Sequence, residues 1–290
     1  MGIRRIKLAF GMLAVLLTTL VTGSLVYADG SGPMSPFPIT GAFTATSRAD
    51  RDHISIIEFG GNYDRDLSLG VYNAEPRAVI AREFYRTHPD NYDFLVVFSS
   101  FEFNTGDATA FHWMVQNKVQ GIGLPQFDNS DLFGSKGKLL GFIDMAALTR
   151  YATNPIEPGF ESTLSVLSHE TLHQWGSYVQ FKDANGTLSS DLLGRDNAHW
   201  SYLLDSDASV EYGAKWRDNG NGTYTSVGTR TFFSPLDLYL MGFYKPEEVP
   251  PITLIDNPAI DKTQLPQLNV TISGTPRTVN INDIIAAEGN

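Results

Sequence analysis

The chain has 290 residues, 42% hydrophobic and 12% aromatic, enough for a substantial core and too apolar for wholesale disorder. Its formal net charge of −11 argues against phosphate backbones and anionic headgroups, so neither nucleic acid nor a membrane surface is expected as a partner. With no cysteine, disulfides, thiolate metal sites and a cysteine nucleophile are excluded, and any metal must be held by His, Asp or Glu.

Arg4, Arg5 and Lys7 precede a long apolar run, and Val26-Tyr27-Ala28 offers a small-residue cleavage site, so residues 1–28 read as a signal peptide. Loss of its three cations takes the net charge from −11 to −14, which suits an acidic protein secreted to the extracellular space. Residues 29–45, rich in Gly, Pro and Ser, read as a flexible leader. Residues 46–290 are expected to form a single domain, with an N-terminal lobe over about 46–180 and a C-terminal lobe over about 181–290.

Within the first lobe, Val79, Ile80, Phe84 and Tyr85 lie near helical spacing in Pro76–His88, and Pro89-Asp90-Asn91 stops that helix. Tyr92–Phe98 is short and β-branched, which predicts a buried strand. Phe111–Val119 and Leu139–Met145 read as two more strands, joined by a turn at Gly134-Ser135-Lys136-Gly137-Lys138. That loop lacks the Gly-Lys-Ser/Thr ending of a phosphate-binding loop.

From Glu161 to about Val179 the pattern is helical. Leu164, Leu167, Thr171, Leu172, Trp175 and Val179 fall on one face, while His169 and His173, about 40° apart, share a face that the core does not need. Residues 180–234 read as irregular chain with one hairpin, Lys215–Arg217 against Tyr224–Ser226. Its loop is a poor calcium site, since Gly220 and Gly222 stand where oxygen-bearing side chains are needed. Ser234 as N-cap, Pro235 and Asp237 open a short helix that Gly242 closes, which makes Asp237 a capping residue. The last stretch, 269–281, reads as a β-hairpin leading into a short helix from Asn282.

The sequence His169-Glu170-Thr171-Leu172-His173 carries the chemistry. Two imidazoles one helical turn apart can bind one divalent ion from the same side, and the intervening Glu170 can act as general base on a water there. Zn2+ is the expected cofactor, and peptide-bond hydrolysis the expected reaction. A catalytic zinc has three protein ligands, so one is missing from the helix. His199, the only later histidine, is the first candidate; Glu211, Asp207 and Asp205 are the alternatives.

His169-Glu-Thr-Leu-His173-Gln-Trp-Gly176 resembles the zincin metallopeptidases, and Gly176 stands where the metzincin branch has a turning glycine. The metzincin position of the third histidine is Val179, so the resemblance implies a distant ligand after an insertion, as in leishmanolysin-like enzymes. It also implies that Met241 is similar to the methionine beneath a metzincin metal, although a helix-end core residue accounts for it as well. Tyr178, Tyr202, Tyr212 and Tyr239 remain open as hydrogen-bond donors to a transition state.

The fold then expected is α+β and zincin-like: a twisted mixed sheet with a backing helix and an active-site helix, followed by a less regular C-terminal lobe. The resemblance places a protein or peptide substrate along an edge strand from the segment Gly121–Met145. A surface adhesion module with a structural or vestigial metal, and a zinc hydrolase of non-peptide amides, are the competing functions.

Overall fold

The computed structural model describes residues 42–64, 74–106, 108–152 and 162–289. The expected signal peptide and most of the expected leader lie outside them. Strand β1 (Thr44–Arg51) starts within that leader, because the Gly/Pro-rich composition ends at Gly41 and an alternating, half-buried run follows. It pairs antiparallel with β2 (Ile54–Gly60).

Helix α1 (Ala74–Thr87) follows, close to the expected bounds. Strands β3 (Phe94–Ser99), β4 (Phe111–Met114) and β7 (Gly141–Ala147) form a mixed sheet in the order β3-β7-β4, parallel on one side of β7 and antiparallel on the other. Between β4 and β7 lies a minor ladder of β5 (Gln116–Asn117) and β6 (Phe127–Asp128). Alternation along β7 sends Phe142 to the core beneath α1 and Asp144 to Arg77 of α1, while Ile143 and Met145 join the core beneath α2 (Thr163–Leu172). Both faces of β7 are therefore covered, and all seven of its residues are buried.

Two expectations fail here. The segment Gly121–Met145 ends in β7, the central strand of the three-stranded sheet, because β7 pairs with both β3 and β4, which are its edges; the segment's other strand, β6, pairs with β5 in a separate ladder. Nor is Gly134–Lys138 a hairpin turn. Gly134, at φ 79°, closes a 3-10 turn over Ser130–Phe133, and the Ser135 hydroxyl donates to Asp90 at 2.7 Å, so the loop is a pinned connection.

Helix α2 is shorter than the expected 161–179. Ser162 caps it, its side chain accepting from the Ser165 N–H at 3.2 Å. Ser162→Ala is expected to lower stability by about 1 kcal/mol, read as a reduced urea midpoint at unchanged slope.

The C-terminal half contradicts the irregular reading most. After a small ladder of β8 (Phe181–Lys182) and β9 (Leu188–Ser189) come β10 (Trp200–Asp205), β11 (Tyr212–Asp218), β12 (Thr223–Gly228), helix α3 (Pro235–Leu240), β13 (Ile252–Asp256), β14 (Thr271–Ser273), β15 (Thr275–Val279) and helix α4 (Ile281–Glu288). Six of these strands make the largest sheet among the described residues, in the order β14-β12-β11-β10-β13-β15. Its pairings join segments far apart in sequence, such as β10 with β13 and β12 with β14, which short-range patterning does not register. The hairpin of β11 and β12 is as expected. The expected terminal hairpin is not: β14 pairs with β12 and β15 with β13, so one extended segment bends at Gly274 from one sheet edge to the other. A side chain on Gly274 would collide with Ile255, which is why the bend falls there.

No helix among the described residues is long and apolar enough to cross a membrane.

Candidate metal centre

Helix α2 carries His169 and His173 one turn apart, with ring centroids 4.8 Å from each other. The helix ends at Leu172 with His173 as its C-cap, and the chain then folds tightly back. Gly176 lies so close to Leu172 that a Cβ there would sit 2.8 Å from the leucine Cγ, and Ser177 takes the left-handed conformation at φ 66°. Val179 is buried in the C-terminal core. The histidines are expected on a face that the core does not need, yet His173 is only 3% exposed, while Leu164, assigned to the core face, is 45% exposed. Residues 199–212 of the C-terminal half cover the histidines, and local periodicity cannot anticipate a cover that arrives from elsewhere.

That cover is built by an unusual connection. Strands β10 and β11 run parallel although only residues 206–211 separate them, where parallel neighbours ordinarily need a crossover of about a dozen residues. Asp207, Ala208 and Tyr212 adopt positive φ to make the return possible, and Asp196 and Asn197 do so just before His199. Left-handed non-glycine residues cost about 1 kcal/mol or more each, and such strain concentrates at functional sites, where the surrounding structure holds it. The return brings the Trp200 N–H to the Glu211 carbonyl at 2.8 Å, placing Glu211 beside His199.

One donor atom from each of His169, His173, His199 and Glu211 lies within 4.8 Å of the others, and this group can hold a metal ion. His199 stacks on His169, with centroids 5.2 Å apart, and meets His173 edge-on at 4.9 Å. The His169 Nδ1–H donates to the Val210 carbonyl at 2.8 Å, and the His199 Nδ1–H to the Arg195 carbonyl at 3.1 Å, which leaves Nε2 of each ring as the lone-pair donor. Glu211, at 0% exposure, sets one carboxylate oxygen 3.6 Å from the His169 Nδ1 and the other 3.7 Å from the His173 Nδ1.

The electrostatics suit a cation. Burial pushes the His169 pKa down to about 4 and holds His173 and His199 well below the usual imidazole value, with mutual repulsion adding to the shift of the latter two. The three rings are thus neutral at neutral pH, the form that ligates a metal.

Of the alternative third ligands, the structure brings His199 and Glu211 together and leaves Asp205 and Asp207 out. Asp205 accepts from the Trp216 N–H, and Asp207 pairs with Lys215 at 2.6 Å, because the turn at 206–208 aims both away from the histidines. Glu170 is buried, and its charge acts on the Tyr212 phenol, as does that of Glu211. Tyr212 is also the tyrosine that stacks on a site histidine, 4.5 Å from His199. Tyr178 instead donates to the His173 carbonyl, and Tyr202 packs against Trp216. Met241 is the half-buried C-cap of α3, whose capping box of Ser234 and Asp237 is as expected.

His112 escaped the sequence reading. It sits inside the apolar run of β4, on the face toward α2, and its Nε2 lies 3.2 Å from the Gln174 Oε1. A polar residue at alternating phase in a buried strand is the signal that could have found it. Burial pushes its pKa from 6.5 to about 4. Between those values the unfolded chain binds a proton that the folded chain does not, so this contribution is complete above pH 6.5 and is lost on acidification toward pH 4. Over that window wild type is expected to lose about 3 kcal/mol more than His112→Asn in urea denaturation, the site histidines adding the same loss to both.

Compared with known proteins, the chain matches no family model, no curated protein and no solved structure at a significant level.

Proposed function

We propose that the chain is an exported zinc endopeptidase in which His169, His173 and His199 hold the metal and Glu170 is the general base. The observation that supports this reading best is the convergence of His199, carried by the segment before β10, on the two histidines that α2 presents.

When bound, zinc supplies Lewis acidity to the scissile carbonyl and lowers the pKa of a water from 15.7 toward about 7. Glu170 takes a proton from the attacking water and returns it to the leaving nitrogen. The Val210 carbonyl orients the His169 ring, and Glu211, with one carboxylate oxygen 3.7 Å from the His173 Nδ1, orients the His173 ring. Burial raises the Tyr212 pKa, which keeps its phenol protonated as a hydrogen-bond donor to the developing oxyanion. The signal-peptide reading of residues 1–28 makes the enzyme a secreted one, with protein or peptide as substrate.

The test is zinc content together with hydrolysis of an unstructured protein. One zinc per chain is expected, with cleavage abolished by a chelator and restored by zinc. Stoichiometric zinc without cleavage of any peptide would defeat the peptidase reading; turnover of another amide under the same control would replace it with a non-peptide hydrolase. A structural metal is the second reading, favoured by four converging donors, the count of a closed site. In that case chelation unfolds the chain, whereas the catalytic reading expects the fold to persist.

A further inference from the structure

Asp237 does more than cap α3. It is wholly buried, and its two carboxylate oxygens serve different segments. One accepts from the Ser234 N–H at 2.7 Å and completes the capping box. The other accepts from the Trp200 indole N–H at 2.8 Å, and Trp200 directly follows His199. The Ser209 side chain also acts on Asp237, lowering a carboxyl pKa that burial raises. The Ser209 hydroxyl oxygen in turn accepts from the Glu211 N–H at 3.0 Å, and Val210, between them, offers the carbonyl that orients His169.

We propose that Asp237 is a positioning residue of the metal centre, its buried carboxylate tying the His199 segment and the Ser209–Glu211 segment to one anchor. A helix cap needs only a bond to its own backbone. Burial of a carboxylate whose further contacts reach the neighbours of two donor residues is explained by the need to hold those donors in register. The β10–β11 return is strained, with positive φ at Asp207, Ala208 and Tyr212, so an anchor outside the loop, reaching Ser209 within it and Trp200 at the start of β10, holds it against the His199 segment. Loss of such an outer partner typically weakens metal affinity by about 10–100-fold.

This inference rests on the metal-centre reading, and the experiment separates the two. Full-length Asp237→Asn, Trp200→Phe and Ser234→Ala are titrated with Zn2+ against a chromophoric chelator, and their Co2+ absorption spectra and melting temperatures are recorded. Expected are a roughly 10–100-fold loss of affinity and an altered Co2+ spectrum in Asp237→Asn and Trp200→Phe. Ser234→Ala, which removes a cap bond but leaves the indole bond, is expected to melt lower and bind within about threefold of wild type. Wild-type affinity in the first two variants, or an equal loss in Ser234→Ala, overturns the positioning role. If Asp237→Asn fails to fold, Trp200→Phe decides alone. A wild-type chain that takes up neither ion overturns the metal-centre reading and this inference with it.

Discussion

Glu170→Gln is expected to retain one zinc per chain and to lose hydrolysis by roughly two to four powers of ten in kcat, the range for removing a general base. That corresponds to about 3–5 kcal/mol of barrier. Glutamine keeps the side-chain volume at a buried position, so the melting temperature should change little, and the loss is attributable to proton transfer. The comparison requires zinc content, kcat and KM on the same preparations. If the variant cleaves as fast as wild type, the water is activated by some other group and the assignment of Glu170 fails.

His199→Ala is expected to weaken zinc binding by about two to three powers of ten. Zinc sites of about 10–16 kcal/mol, shared among three or four donors, give roughly 3–4 kcal/mol for each. Glu211→Gln is expected to cost less, about 10–100-fold, because the carboxylate acts through the Nδ1 atom of His173. Competition titrations decide the order. Should Glu211→Gln lose more affinity than His199→Ala, Glu211 is the third ligand, and a His-His-Glu site replaces the three-histidine one.

The local elements are legible where their own side chains specify them. The bounds of α1 follow from its apolar spacing and the stop at Pro89-Asp90. The capping box of α3 is written in Ser234, Pro235 and Asp237, and the β11–β12 hairpin in its Asn/Gly-rich turn. The six-stranded sheet is not legible, because its strands are short and each is stabilised by partners distant in the chain. Nor can the double duty of Asp237 be read, since a cap is a local pattern and a bond to Trp200 is not.

For the site, the sequence alone determined the pair His169 and His173 with Glu170 between them, because a helix of fixed pitch places residues four apart on one face. It also confined any metal to His, Asp and Glu, since there is no cysteine. Tertiary structure decided that His199 and Glu211 both join that pair while Asp205 and Asp207 do not. The physical reason is the strained return between β10 and β11: its backbone angles set which side chains turn inward, and they are held by contacts with α2 and α3 that no stretch of sequence contains by itself.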